Sequence, residues 1–141
     1  MSDVAVVLDT SALLSYVDGN IAVGELIAEI ADEARLVAIP ATCLAQARAI
    51  VADDLAAAHL LLLTTTPTVV VIPLATDQFG RADPIWRVGE IGLVAAGDVG
   101  VGHAVHAALV NSAYYVTARP DLVDGVLPHG WVVLDVNLDI N

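Results

Sequence analysis

The residues that follow the first apolar run of the chain are of types that can do chemistry. Val4 to Leu8 is apolar throughout and rich in β-branched residues, which indicates a strand buried on both faces. Asp9, Thr10 and Ser11 come directly after it. A carboxylate beside two hydroxyls suits a hard cation, because such ions prefer oxygen ligands. The same three residues also suit a helix start, where one of them would cap a backbone N–H. Both interpretations are open from this stretch alone.

Strands and helices alternate along the rest of the sequence. Further strands are predicted at 36–39, 68–73, 113–117 and 131–135. Helices are predicted at 10–17, from Asn20 onward, at 41–51, 53–63 and 98–112, with one or two more in 76–96, broken around Asp83-Pro84. This alternation predicts one α/β domain over residues 1–141, a three-layer α/β/α architecture with a central parallel sheet. Sites in such sheets lie at the carboxyl ends of the strands, where Asp9 and Thr117 both stand.

Two predicted helices place further polar side chains near the predicted core. Gln46 lies on the apolar side of its helix, and a buried amide without a partner costs about 1–3 kcal/mol. We expect it either to meet the pocket that carries Asp9 or to reach water at the edge of the core. Asp98 opens a helix, where it can act as an N-cap and still face the pocket. His103 and His106, three residues apart on that helix, form at most a weak metal pair, with ordinary packing or surface roles as the alternative.

The composition restricts the kinds of partner. The chain has 57% hydrophobic residues, which leaves apolar surface for an oligomer interface. Seventeen acids face five arginines and no lysine, for a net charge of −12. Such a surface repels phosphate backbones, since nucleic-acid affinity comes mostly from Lys and Arg. If the protein contacts RNA, we expect a metal ion or a basic partner to mediate that contact.

The N-terminus, the hydropathy and the cysteine content predict a cytoplasmic protein. No apolar stretch reaches the length of about 18 residues that a membrane helix needs, so we expect no membrane segment. The chain begins "MSDVAV", without the basic region of a signal peptide. The single Cys43 excludes an internal disulfide and fits a reducing compartment.

Four segments together resemble the PIN-domain nucleases, a family that includes bacterial toxins of the VapC type. They read "VVLDTSALL" near the N-terminus, "IPATCLAQA" at 39–47, "GDVGVGHAVHAAL" at 97–109 and "YYVTARPDL" at 114–122. Their order and intervals and the total length fit, so the resemblance covers nearly the whole chain. It implies a parallel sheet flanked by helices and a Mg²⁺ or Mn²⁺ site of three or four carboxylates that cleaves RNA. It also implies a homodimer and a small antitoxin, which for this acidic chain would be basic.

The resemblance assigns roles to residues of the first two segments. Asp9 matches the first acid of the family, and Ser11 matches the hydroxyl residue that often supports it. Gln46 stands where the family pattern has a glutamate. This difference keeps an oxygen ligand but removes a negative charge.

The last two segments depart further from the family pattern. Asp98 is the candidate for the third acid, although the spacing to Thr117 would favour an acid at Val101, one helical turn later. The fourth segment often reads T-x-D, whereas here Thr117 is followed two residues on by Arg119. Asp121, two residues further, could swing in to supply the missing charge.

Arg119 would oppose a cation if it pointed into the pocket. Two unit charges about 4 Å apart repel by roughly 4 kcal/mol at an effective dielectric of 20, and a divalent ion is repelled about twice as strongly. We therefore expect either that the guanidinium pairs with Asp9 or Asp98 in place of the metal ion, or that it points to solvent.

Two functions of different kinds follow from the sequence. One is a metal-dependent endoribonuclease of toxin–antitoxin type, with Asp9 and Asp98 as metal ligands, Gln46 as a neutral ligand, and Ser11 or Thr117 positioning water or phosphate. The other is a catalytically inactive PIN-like domain that works by dimerising or by binding a partner, with Arg119 replacing the metal ion.

Overall fold

A single parallel sheet of five strands organises the structure, a computed structural model that describes residues 3–137. The strands are β1 (Val4–Leu8), β2 (Leu36–Pro40), β3 (Val69–Ile72), β4 (Tyr114–Thr117) and β5 (Val133–Asp135). The helices are α1 (Thr10–Val17), α2 (Ile21–Asp32), α3 (Ala41–Ile50), α4 (Asp54–Thr64), α5 (Asp83–Val94) and α6 (Val99–Asn111), with a short 3₁₀ turn at Pro120–Leu122. Helices cover the sheet on both faces, which confirms the predicted three-layer α/β/α architecture.

The strand order is β3-β2-β1-β4-β5. β2 and β3 therefore lie on one side of β1, and β4 and β5 lie on the other. All five residues of β1 are buried, as its unbroken apolar run predicts. Val6 pairs with Tyr114 and Leu8 with Val116, which makes β1 and β4 direct neighbours. The backbone N–H of Asp9 continues this pairing by donating to Val116 O at 3.2 Å. The carboxyl ends of β1 and β4 therefore form one crevice, the usual place for a site in such a sheet.

The segment before α5 differs from the sequence prediction. Residues 76–82 contain no helix, and α5 begins at Asp83 with Pro84 in its first turn. Proline suits this position because its missing N–H would have no partner inside the helix. Upstream, the Asp77 carboxylate accepts two backbone N–H groups and holds a turn. The prediction of helix on both sides of Asp83-Pro84 is therefore wrong, whereas the other bounds agree within about two residues.

Helices α5 and α6 approach each other closely through glycine. A Cβ on Gly102 would overlap with the carbonyl oxygen of Val88 and with the backbone of Gly92. Gly102 is thus required by contact between two backbones rather than by an unusual φ angle. Within residues 3–137, no single helix is long and apolar enough to cross a membrane, although α5 and α6 meet the length and hydropathy criteria as a pair bent by 118°.

Candidate functional site

The carboxyl ends of β1 and β4, with the adjacent helices, carry a group of neighbouring polar side chains, here named the polar cluster. Its members are Asp9, Thr10, Ser11, Gln46, Asp98, Tyr115 and Thr117. Elements distant in the sequence supply them, namely the start of α1, the middle of α3, the start of α6 and the end of β4. Five of the seven residues predicted for the site belong to this cluster.

Asp9 lies at the centre of the cluster and is only 2% exposed. One carboxylate oxygen, Oδ1, accepts hydrogen bonds from the backbone N–H of Ala12 at 2.9 Å and from the Ser11 hydroxyl at 2.7 Å. The other, Oδ2, accepts from the Tyr115 hydroxyl at 3.1 Å. The bond to Ala12 makes Asp9 the N-cap of α1, which confirms the capping interpretation of this stretch.

The hydroxyls of Ser11 and Thr117 close the network towards β4. Ser11 gives its one proton to Asp9, so the 2.9 Å contact between the two hydroxyls has Thr117 as the donor. The Ser11 oxygen also accepts the N–H of Ala118, and the Thr117 oxygen accepts the N–H of Arg119, both at 2.9 Å. Each hydroxyl is therefore engaged as donor and as acceptor, and neither is free to orient a ligand without breaking a bond.

Burial determines the protonation behaviour of this half of the cluster. It raises the pKa of Asp9 above its ordinary value, and hydrogen bonds from the surrounding donors partly offset that rise. Burial, with the charge of Asp9 added, raises the pKa of Tyr115 well above its usual range. Tyr115 therefore stays a phenol that donates to the carboxylate, and Asp9 carries its charge less readily than an acid at the surface.

Gln46 lies between Thr10 and the start of α6. Its Oε1 accepts a hydrogen bond of 2.8 Å from the hydroxyl of Thr10, the residue after Asp9, so the amide has a polar partner. The same oxygen occupies the place that a Cβ on Gly100 would take, and Asp98 Oδ1 lies 3.2 Å from that place. Asp98 itself accepts the backbone N–H of Val101 at 3.0 Å and caps α6. The neutral amide of Gln46 thus lies near the carboxylate of Asp98, at the position where the family pattern has a glutamate.

Cys43 lies beneath the cluster and is fully buried. Its thiol donates to the carbonyl oxygen of Gly100 at 3.1 Å. Burial raises its pKa to about 12, and the charges of Asp9 and Asp98 both add to the rise. The thiol is therefore a protonated packing group rather than a nucleophile.

The sequence analysis did not identify two residues of this region: Tyr115, a member of the polar cluster, and Cys43, its buried neighbour. Both were detectable from periodicity. Side chains two apart in a strand share a face, which links Tyr115 to Thr117. Side chains three apart in a helix also share a face, which links Cys43 to Gln46.

Arg119 does not enter the cluster, so the expected pairing with Asp9 or Asp98 is wrong. Its Nε and Nη2 bind the two carboxylate oxygens of Asp121 at 3.2 and 3.0 Å, and both side chains are exposed. This pair lowers the pKa of Asp121 and raises that of Arg119. A partner two residues away is close at hand, whereas Asp9 already has three donors and lies in a site where a guanidinium would lose its water. Asp121 likewise supplies no charge to Asp9.

The donors needed for a divalent cation are few at this edge of the sheet. Within residues 3–137, no three His, Cys, Asp or Glu side chains form a group that could hold a metal ion. Asp9 is occupied by three donors and Asp98 by its capping bond. His103 is buried, and its Nδ1 lies 2.9 Å from the Thr42 hydroxyl. Burial lowers the pKa of His103, and within residues 3–137 it and His106 belong to no group of three such side chains. The two carboxylates at this edge, Asp9 and Asp98, are fewer than the three or four that the resemblance implies for a Mg²⁺ or Mn²⁺ site.

No model of a known protein family matches this chain, and no curated protein gives a sequence match. The resemblance to PIN-domain nucleases therefore depends on the four segments themselves. The polar cluster, the fold and the charge of the molecule are the observations from which a function can be inferred.

Proposed function

We propose that this chain is a PIN-like domain whose polar cluster has become a structural hydrogen-bond network, and that it acts by binding a basic protein partner. The observation that carries this proposal is the state of Asp9, which is 2% exposed and accepts three hydrogen bonds from the chain itself. A carboxylate in that state is already used for holding α1 against β4.

The electrostatics of the cluster support the same proposal. A divalent cation must recover the loss of its water shell from anionic oxygens. Here the most central carboxylate has a raised pKa, and the second position holds the uncharged Gln46. An ion that displaced Ser11 or Tyr115 from Asp9 would also cost about 1 kcal/mol for each hydrogen bond lost. These features weaken the attraction of the cluster for a cation.

The charge of the molecule indicates the chemistry of the partner. With a net charge of −12 and no lysine, the surface attracts basic groups and repels phosphate. A cavity of about 640 Å³ lies under the segment that joins β4 to β5. Asp124 and Trp131 are on its wall, together with Asp121, whose carboxylate is already paired with Arg119. The Trp131 ring is held by a 2.9 Å hydrogen bond from its Nε1–H to Ala113 O. An arginine side chain fits this setting, because it pairs with carboxylates and stacks on indole.

A second candidate is the metal-dependent endoribonuclease of toxin type. It is favoured by the four segments and by the placement of Asp9 and Asp98 around Cys43, whose pKa both charges raise. In that function Mg²⁺ or Mn²⁺ would be held by the two carboxylates and would supply an activated water and charge stabilisation at the phosphate. Ser11 and Thr117 would then position phosphate, and an antitoxin would be the basic partner.

An RNA cleavage assay distinguishes the two candidates. The protein is incubated at high concentration with a mixed RNA pool and Mn²⁺, in parallel with EDTA and with the Asp9→Asn variant. We expect equal and negligible cleavage in all three. Cleavage by the wild type that disappears both with EDTA and in Asp9→Asn would establish the ribonuclease and contradict our proposal.

Binding of a synthetic arginine-rich peptide, followed by calorimetry, tests the partner chemistry. We expect Asp124→Asn to weaken binding about two- to fivefold, since one exposed charge pair contributes at most about 1 kcal/mol. The matched control is Asp54→Asn, which removes the same charge at the start of α4. An equal loss in both variants would show that the peptide responds only to net charge and would contradict a site at the cavity.

A further inference from the structure

We propose that the basic partner binds by adding an extended segment to the outer edge of β5, so that its side chains point alternately to the two faces of the sheet. This inference rests on the proposed function and specifies how the partner is held. β5 is the last strand in the sheet order, and within residues 3–137 no strand pairs with its outer side. Such an edge is a template for a further strand, because its backbone N–H and C=O groups are available for pairing.

The backbone of β5 determines which groups face this open side. The Val132 carbonyl oxygen accepts an N–H of β4, and the Val136 N–H donates to a carbonyl oxygen of β4, both at 3.0 Å. Because the direction of the backbone groups alternates along a strand, the N–H and C=O of Val133 and Asp135 point away from β4. These two residues therefore offer donors and acceptors to an added strand.

A cavity lies beside each face of this edge. Val133 lines the cavity of about 640 Å³ that Asp124 and Trp131 also line. Leu134 lines a second cavity, of about 530 Å³. Adjacent residues of a strand point to opposite faces, so the two cavities lie on opposite faces of the sheet. The side chains of an added strand alternate in the same way and can enter the two cavities in turn.

The second cavity also presents acids beside an aromatic ring. Glu29 and Glu33 of α2 line it, and both are exposed. Arg35 lines it too, but its Nη2 donates to the backbone oxygen of Val4 at 3.3 Å, and one guanidinium stands against two carboxylates. Tyr114, 50% exposed, forms a further part of the wall. Carboxylates beside an aromatic ring suit an arginine or lysine side chain, as they do in the first cavity.

The charge around β5 selects a basic segment as the occupant. Acids on both faces of this edge attract a cationic strand, and they repel a strand of this chain, which carries −12. β3, at the opposite edge of the sheet, lies in a segment that has no Asp or Glu from position 55 to position 76. Pro73, which directly follows β3, has no N–H to donate to a further strand. β5 is therefore the edge that suits a basic strand.

Amide hydrogen exchange of the full chain, followed by NMR, tests the backbone pairing. The probe is a synthetic peptide rich in arginine and valine. With saturating peptide, we expect the N–H groups of Val133 and Asp135 to exchange at least about tenfold more slowly than in the free protein. The N–H groups of Leu134 and Val136, which face β4, are the internal control and should change much less.

Calorimetry with a matched peptide separates strand pairing from charge. The matched peptide has the same sequence and charge, but every backbone nitrogen is methylated, so it cannot pair as a strand. We expect it to bind at least about tenfold more weakly than the unmodified peptide.

Charge variants of α2 test whether the partner reaches the second face. We expect Glu29→Gln to weaken binding of the unmodified peptide about two- to fivefold. Glu25→Gln, the same substitution at an exposed position of α2 that does not line the cavity, should leave binding unchanged. An equal loss in both variants would show that the peptide responds only to net charge there and would contradict side chains on both faces.

The remaining outcomes separate this inference from the proposed function. Equal binding of the two peptides, with unchanged exchange at Val133 and Asp135, would overturn strand addition and leave the basic partner standing. A wild type that does not bind the unmodified peptide would contradict the proposed function and this inference with it. Slow exchange at Val133 and Asp135 without peptide, in a particle of twice the monomer mass of 14.6 kDa, would assign the edge to a second copy and also overturn the inference.

Discussion

Asp9 shows how one carboxyl group can be both buried and satisfied. Its three hydrogen bonds join a helix start, a neighbouring hydroxyl and a strand 106 positions away in the sequence. Removing the group altogether would leave the N–H of Ala12 and the hydroxyl of Tyr115 without partners. Keeping its shape while removing its charge would not, because an asparagine can accept from Ala12 and donate to the Tyr115 oxygen.

We therefore expect Asp9→Asn to keep the free energy of unfolding within about 1 kcal/mol of the wild type at neutral pH, and Asp9→Ala to lower it by about 1–3 kcal/mol. Urea unfolding measures both. A loss in Asp9→Asn as large as in Asp9→Ala would show that the charge, rather than the hydrogen bonds, holds the cluster.

The stability of Asp9→Asn relative to the wild type should change with pH in a definite direction. The pKa of Asp9 is raised in the folded state above its ordinary value of 3.8, so the folded chain holds this proton more tightly than the unfolded chain. The resulting stabilisation is complete below that ordinary value and is lost as pH rises through the folded pKa. As pH rises from about 4 through the folded pKa of Asp9, Asp9→Asn should therefore gain stability relative to the wild type. The opposite trend would mean that the buried carboxylate is stabilised as an anion.

Between α5 and α6, two glycines in similar helices have opposite roles. Gly102 has no room for a Cβ because the backbone of α5 lies against it, whereas Gly89 has nothing within 4 Å. Helix propensity alone favours alanine over glycine by about 1 kcal/mol at either position. Packing reverses this preference only where two backbones touch.

We expect Gly102→Ala to destabilise the protein by about 1–3 kcal/mol, since α5 must move away from α6. Gly89→Ala should stabilise it by about 0.5–1 kcal/mol. Thermal and urea unfolding of the two variants measure the sign directly. If Gly102→Ala were neutral or stabilising, the close approach of the two helices would be absent in solution.

Much of the fold and part of the cluster could be predicted from the sequence, and the differences have physical reasons. The alternation of strand-like and helix-like segments predicted the parallel sheet. The acidic residues at two helix starts indicated N-caps at Asp9 and Asp98. The partner of Arg119 was not predictable, because Asp121 nearby in the sequence and Asp9 far away are both aspartates and could each pair with an arginine. Strand periodicity links Tyr115 to Thr117, but its hydrogen bond to Asp9 depends on the pairing of β4 with β1.

At the scale of the whole molecule, the charge of −12 and the absence of lysine favour basic partners over phosphate. Such a contact does not depend on a cation in the polar cluster. The proposed function therefore requires that the polar cluster is a structural network and not a metal centre.

Unfolding of the wild type and Asp9→Asn in increasing Mn²⁺ tests that claim most directly. A ligand that binds only the folded state stabilises it by about 2.7 kcal/mol at 100 times its dissociation constant. Mn²⁺ also screens the acidic surface, but that effect is common to both proteins. We predict the same dependence on Mn²⁺ for the wild type and for Asp9→Asn. A wild type that gains progressively more stability than Asp9→Asn as Mn²⁺ rises would contradict the account.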